Sequence, residues 1–306
     1  MLDPDGDGPH RSVPDPLAGP QEDATMRIGH HTITWGGVVG HPAGVTSIKD
    51  LHYVSHGSVV EAVQQIGAVG YEGTEVFDGN LAALADTPEV LLDALAAAGV
   101  ELVSVYAGAN FVYADVLPDE MARLRHSCEL AQRFGASRLV VGGGARRAAG
   151  TTEADYDSLG AALDRVDDLA ADFGLEASYH PHLSTIVESP AELELLMART
   201  RIGFCPDTAH LAAGGGDPAA LVRRYPDRLK HVHLKDVDLA TGTFLPLGQG
   251  DLDLADVLAA VTETGYDSWL MVELDSAEGS PQEAAAASLA HLQHLLDSTS
   301  SLSTAR

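Results

Sequence analysis

The chain is poor in positive charge and in cysteine, and it has no apolar run long enough to cross a membrane. Its 18 Lys and Arg face 45 Asp and Glu, for a net charge of −27. A surface that acidic repels phosphate backbones and anionic membranes, so neither nucleic acid nor lipid is expected as a partner. A small neutral substrate meets no such penalty. An anionic one would need a local basic patch or a metal. The two cysteines, Cys128 and Cys205, make neither a disulfide framework nor a zinc-finger spacing. They read as free thiols in a reducing, cytoplasmic setting. The N-terminus lacks a basic segment followed by an apolar one, so a Sec signal is not expected. No G-x-G-x-x-G opens the first helical segment, which argues against a doubly wound dinucleotide-binding sheet.

What is present is an alternation. Residues 1–25 stand apart, with five of the 15 prolines and six acidic residues. They read as a disordered tail. A chain beginning at Met26 is therefore expected to keep the melting temperature and activity of the full chain, as a thermal melt and a rate assay would check. From Met26 onward, apolar or β-branched runs fall at 26–35, 70–77, 100–107, 137–144, 175–182, 201–207, 229–236 and 268–275. Ala/Leu-rich segments with helical spacing separate them, and glycines such as Gly70, Gly99 and Gly265 punctuate the helix ends. Eight strands, each followed by a helix, predict an α/β fold, a single (β/α)8 TIM barrel over 26–298, with 299–306 as a flexible C-terminal tail.

Four polar residues sit at the ends of the last four strands: His180, Asp207, His233 and Glu273. The gaps of 27, 26 and 40 residues each suit one βα unit. Parallel strands ending in such side chains bring them to one point at the barrel mouth. Four buried ionisable groups there would be costly without a compensating ion. One divalent metal is the expected occupant. A mixed nitrogen and carboxylate set suits Mn²⁺, Co²⁺, Fe²⁺ or Zn²⁺ better than Mg²⁺, and Mn²⁺ is the first expectation. His182 shares strand parity with His180, and His210 lies three residues beyond Asp207. On the amino-terminal half, His31, Trp35, Glu75, Tyr106 and Asn110 are placed to line a sugar-sized pocket, with Trp35 or Tyr106 stacking on a ring. His41, His52 and His56 fall in a long first loop and read as solvated or rim residues. Gly142-Gly143-Gly144 reads either as a phosphate cradle or as an arched loop. The GQGD at 248–251 ends a long loop that could cover the site, with Asp251 or Asp253 capping the next helix.

DTAHLAAGGGDP, RLKHVHLKDV and GYDSWLMVELD resemble the sugar phosphate isomerase/epimerase group of xylose-isomerase-like barrels, and within it the inosose dehydratases. The likeness runs from about Met26 to the last helix and is densest between Tyr179 and Asp275. It implies one divalent metal held at His180, Asp207, His233 and Glu273. Many relatives carry Glu where this chain has His180, and Glu188 is the alternative first ligand, otherwise a pocket residue. The resemblance also implies that His182 is the proton-abstracting base, with His210 or Lys235 assisting a leaving hydroxyl. The expected activity is a metal-dependent lyase acting on a keto-cyclitol or keto-sugar. A sugar isomerase or epimerase, a 3-keto-glycoside-cleaving lyase and a non-catalytic carbohydrate-binding barrel remain as alternatives. A homo-oligomer or a small accessory subunit is the expected protein partner.

Overall fold

The computed structural model describes residues 26–36 and 52–303. The tail over 1–25 and His41 lie outside the described residues. Within them, all eight expected strands form: β1 (Arg27–His31), β2 (Gly73–Phe77), β3 (Glu101–Ala109), β4 (Arg138–Gly143), β5 (Glu176–Tyr179), β6 (Gly203–Phe204), β7 (Val232–Leu234) and, after a small hairpin β8 (Asp236–Asp238) and β9 (Thr243–Leu245), β10 (Trp269–Val272). The spatial order of the main sheet is β6-β5-β4-β3-β2-β1-β10-β7, and its pairings are parallel. Parallel bridges Phe204–Leu229 and Asp207–His233 join its two outer strands and close the sheet. With helices between the strands, this is a (β/α)8 barrel.

The helices are α1 (Val59–Val69), α2 (Asp78–Ala83), α3 (Glu89–Ala98), α4 (Leu117–Arg133), α5 (Glu153–Asp172), α6 (Pro190–Met197), α7 (Thr208–Ala213), α8 (Pro218–Arg224), α9 (Leu254–Glu263) and α10 (Pro281–Ser303). α1 shows the local logic. The Ser58 hydroxyl accepts the Glu61 N–H at its start, Ala62, Val63 and Ile66 face the sheet, and Gly70 ends it with φ of 110°. Asp217 caps α8 with Pro218 at the first position, and Asp253, not Asp251, caps α9. α10 runs to Ser303, so the boundary expected at 298 falls inside a helix.

All the barrel strands but β3 are shorter than the apolar runs that announced them, and for three of them the stop has a local cause. The first stops at His31, whose Nδ1 accepts the Ile33 N–H at 2.9 Å and folds Thr32–Trp35 into a 3-10 turn. The sixth ends before Pro206, which has no N–H to continue a ladder. The seventh gives way to the β8–β9 hairpin, because Asp236 turns inward and binds the returning loop.

Both faces of the sheet are covered, as a parallel sheet requires. All five residues of β2 and all four of β10 are buried. Val103, Trp269 and Met271 pack together inside the barrel. Arg27 stacks 4.0 Å over the Trp269 ring. Gly73 lies where a Cβ would come within 2.5 Å of that ring, so the indole takes the space of a side chain on β2. A second apolar group, Ile33, Phe77, Tyr106, Val140 and Cys205, lies close to the histidines of the site.

Candidate metal centre and active site

His180 follows β5, Asp207 follows β6, His233 lies within β7 and Glu273 follows β10. Strand pairing fixes their depth. The His180 N–H donates to the Val141 carbonyl at 2.9 Å, that of His233 to Pro206 at 2.9 Å and that of Glu273 to Leu234 at 2.9 Å. One ligand atom from each of the four lies within 4.8 Å of the others, and all four residues are buried. His180 Nε2 is 3.4 Å from Asp207 Oδ2, and His233 Nδ1 is 2.5 Å from Glu273 Oε2.

These atoms are short of partners. Both nitrogens of His180, Nδ1 of His233 and Asp207 Oδ2 are buried without a well-aligned hydrogen bond, and so are His233 Nε2 and Glu75 Oε1, which face each other at 3.1 Å on the other edge of the ring. Buried polar atoms are normally satisfied, so a cluster of orphans of this chemistry fits a cation. Asp207 keeps its other oxygen for the fold, where Oδ1 accepts the His210 N–H at 2.9 Å and caps α7.

Lys235 is fully buried at the edge of the cluster. Its Nζ donates to Glu273 Oε1 and Asp275 Oδ1 at 2.7 Å each, and lies 3.3 Å from Asp207 Oδ2 and from His210 Nε2. Burial opposes its charge, but Asp207, Asp275 and Glu273 raise its pKa well above the ordinary lysine value. Burial likewise opposes the Asp207 and Glu273 charges, and Lys235 together with the neighbouring histidines outweighs it to hold both well below the carboxylate range.

His182 stands at the head of a tight turn. Its carbonyl accepts the Thr185 N–H at 3.2 Å and the Thr185 hydroxyl at 2.8 Å, and Ser184 takes φ of 68°. His182 Nδ1 lies 2.7 Å from the Leu183 carbonyl, so Nδ1 carries the proton and Nε2 is free to accept one. Burial, then His180, lower its pKa. The His210 ring lies 3.7 Å from it, centroid to centroid. Burial and His182 hold His210 well below its ordinary value. With its Nε2 facing the Lys235 ammonium, His210 carries its proton on Nδ1, which has no partner.

The remaining expected pocket residues divide. Tyr106 stands edge-on to His180 at 5.5 Å, beside the site. Its hydroxyl fits against Gly142, where a Cβ would come within 1.8 Å, so this glycine makes room for the tyrosine. His31 and Glu75 are only 1% and 0% exposed and sit behind His233 rather than at the mouth. Trp35 does not stack in the pocket. It follows the 3-10 turn outward, donates Nε1 to Gln65 on α1 at 2.7 Å and joins the core packed around it. Glu188 is not in the ligand cluster either. It accepts the Ser184 N–H at 2.7 Å and pairs with Arg146 at 3.1 Å, which braces the turn that carries His182. Asn110 is tied to Glu120 on α4 at 2.9 Å.

The xylose isomerase-like TIM barrel family matches residues 61–295. The chain belongs to that family. An inosose dehydratase from Lacticaseibacillus casei is 29% identical over 259 residues, 74% of this chain and 85% of the relative. A solved structure of the IOLI protein with a binding zinc atom superposes with a TM-score of 0.69 at 16% identity, covering 89% of this chain and 99% of that one. A solved L-ribulose 3-epimerase does so with a TM-score of 0.69 at 17% identity, covering 92% and 97%. At those identities the two structures speak for the fold alone.

This xylose isomerase-like barrel carries features around its site that the sequence did not single out. Phe244, on β9, lies 5.0 Å edge-on to His210 and 4.7 Å from Lys235 Nζ. Tyr53 stacks on Phe77 at 5.7 Å and meets Tyr106 edge-on at 5.3 Å. Buried Asp78 places it by accepting the Tyr53 N–H at 3.1 Å while pairing with Arg123 at 2.9 Å. Asp236 is fully buried and accepts the N–H groups of Val237, Gly248, Gly250 and Leu252 at 2.9–3.2 Å. It pins the GQG loop and hence the base of the hairpin. Asp275 could have been found by strand parity with Glu273. Phe244 carried no signal, because its hairpin strand is three residues long, too short to show a period.

Asp236→Ala leaves those amides without their acceptor. Hydrogen bonds to a charged group are worth about 1.5–3 kcal/mol each, and water replaces some of them. Urea unfolding is expected to show a loss of about 2–4 kcal/mol, with metal binding retained.

Proposed function

We propose that the protein is a metal-dependent carbon–oxygen lyase that dehydrates a keto-cyclitol or keto-sugar by removing a proton next to a carbonyl. The observation that carries this reading is His182. Its Nδ1 is committed to the Leu183 carbonyl, its Nε2 is free, and it stands beside His180 and against His210. Likeness to inosose dehydratases supports the same reaction class.

His180, Asp207, His233 and Glu273 would hold the cation, with Mn²⁺ the preferred ion. When bound, such an ion polarises a carbonyl and makes the neighbouring C–H more acidic. His182 Nε2 takes that proton as general base. His210 Nδ1–H donates to the departing hydroxyl, and Lys235 holds the His210 tautomer from behind. Phe244 and Tyr106 exclude water and present apolar faces to the ring carbons. The substrate is a small neutral molecule, in keeping with the acidic surface.

Epimerisation needs a second base on the opposite face. The carboxylates beside the centre, Glu273 and Asp275, are bonded to Lys235, which disfavours that role. Cleavage of a 3-keto-glycoside would begin with the same proton removal and differ only in the leaving group. The test is a turnover screen of 2-keto-cyclitols against 3-keto-glycosides and free ketoses in the presence of Mn²⁺. Loss of water from a keto-cyclitol is expected. Inversion of a ketose without loss of water would replace this reading with the epimerase one.

A further inference from the structure

Glu75, on β2, is 0% exposed. Its oxygens face different partners. Oε2 accepts a short hydrogen bond from the Ser104 hydroxyl and lies 3.2 Å from His231 Nε2, while Oε1 lies 3.1 Å from His233 Nε2 and 3.4 Å from His31 Nε2. Asp207 and Glu273 share the ammonium of Lys235. The Glu75 carboxylate is faced by imidazoles and one hydroxyl, and its Oε1, like the His233 Nε2 opposite it, has no other aligned hydrogen bond. A carboxylate buried without a fixed cation is costly unless a neighbour donates a proton to it strongly.

His233 is the ring that links this carboxylate to the ligand cluster. Its Nε2 edge faces Glu75, and its Nδ1 edge faces Glu273 and the ligand cluster. The rings of His180, His231 and His31 surround it at 4.9, 5.3 and 6.3 Å, and it is itself 0% exposed, so a ring flip is sterically opposed. A neutral imidazole has one proton and two places for it, and the partner of one nitrogen decides which nitrogen is left for a metal. We propose that Glu75 is a positioning residue that holds the proton of His233 on Nε2, so that Nδ1 is the nitrogen offered to the divalent cation. The two contacts reinforce each other. A cation on Nδ1 makes Nε2–H a stronger donor, and the carboxylate behind makes Nδ1 a stronger ligand. Sitting behind a ligand rather than against substrate, Glu75 acts on the reaction only through His233.

This inference rests on the metal centre proposed above, and its test separates the two. Zn²⁺ is titrated calorimetrically into the full chain and into Glu75→Gln, which keeps size and an acceptor oxygen but loses the charge. Histidine nitrogens of the zinc-loaded wild type are followed by ¹⁵N NMR. The wild type is expected to bind one ion, with zinc on His233 Nδ1 and a proton on Nε2. Glu75→Gln is expected to bind it about 10–100-fold more weakly, the usual cost of losing an outer carboxylate. Equal affinity in the two proteins overturns the inference alone, as does zinc on His233 Nε2, a readout that needs no variant to fold. Glu75, His231 and His233 also form a trio of ligand atoms within 4.8 Å. Two ions per wild-type chain, one of them lost in Glu75→Gln, would make Glu75 a ligand instead and overturn the positioning role. A wild type that takes up no ion overturns the centre and this inference together.

Discussion

His182→Gln is expected to keep fold and metal content while turnover falls by at least ~100-fold, the usual worth of a general base. Glutamine matches the imidazole in length and retains a donor for the Leu183 carbonyl, so the turn at Thr185 and Ser184 is preserved. What it lacks is a basic nitrogen at the position of Nε2. Exchange of the substrate α-proton with deuterated solvent should stop together with turnover. Exchange that continues at the wild-type rate would place the base elsewhere, with His210 the next candidate because its ring lies against that of His182. His210→Gln should behave differently, slowing loss of the hydroxyl while exchange of the α-proton persists.

The second large effect concerns metal content. Asp207→Asn is expected to leave a folded barrel that retains little metal after purification without chelator. The loss in affinity should exceed the ~10–100-fold that removal of an outer partner costs, since a ligand itself is lost. Asparagine is the informative replacement because Asp207 has two duties. Its Oδ1 caps α7 by accepting the His210 N–H, and an asparagine oxygen does that equally well. Alanine would also remove the cap, at a further cost of about 1 kcal/mol, and would blur the reading. In the variant, Lys235 loses one of its three carboxylates and keeps Glu273 and Asp275, so the buried ammonium stays paired. Elemental analysis of the two proteins side by side checks the prediction. Undiminished metal in Asp207→Asn would move the centre away from these four residues.

Much of this protein is legible in its sequence because parallel barrels repeat. Apolar runs of strand length, spaced by one helix and punctuated by glycine, gave eight strands in the right order. Ligand-type residues closing the last four runs gave His180, Asp207, His233 and Glu273, because a barrel brings the ends of its strands to one mouth. The periodicity did not give the ends of the strands. Side-chain bonds from His31 and Asp236 and the missing N–H of Pro206 cut three of them short, and apolar runs do not report such bonds.

Direction was the other thing withheld. Trp35 and Tyr106 look alike as aromatic residues beside early strands, yet a 3-10 turn sends Trp35 out to Gln65 while Gly142 clears a place for Tyr106 beside His180. Glu188 and Glu75 both read as pocket carboxylates, yet one braces a turn with Arg146 and the other lies sealed behind His233. Asp236, Tyr53 and Phe244 reach the site or support it from positions that no period marks. The sequence by itself determined the class of fold, the end of the barrel where ligand-type side chains gather and the four residues that meet there, because these follow from repeat and spacing. Which nitrogen or oxygen faces which partner was decided only by the tertiary structure, because it depends on contacts between strands and loops far apart in the chain.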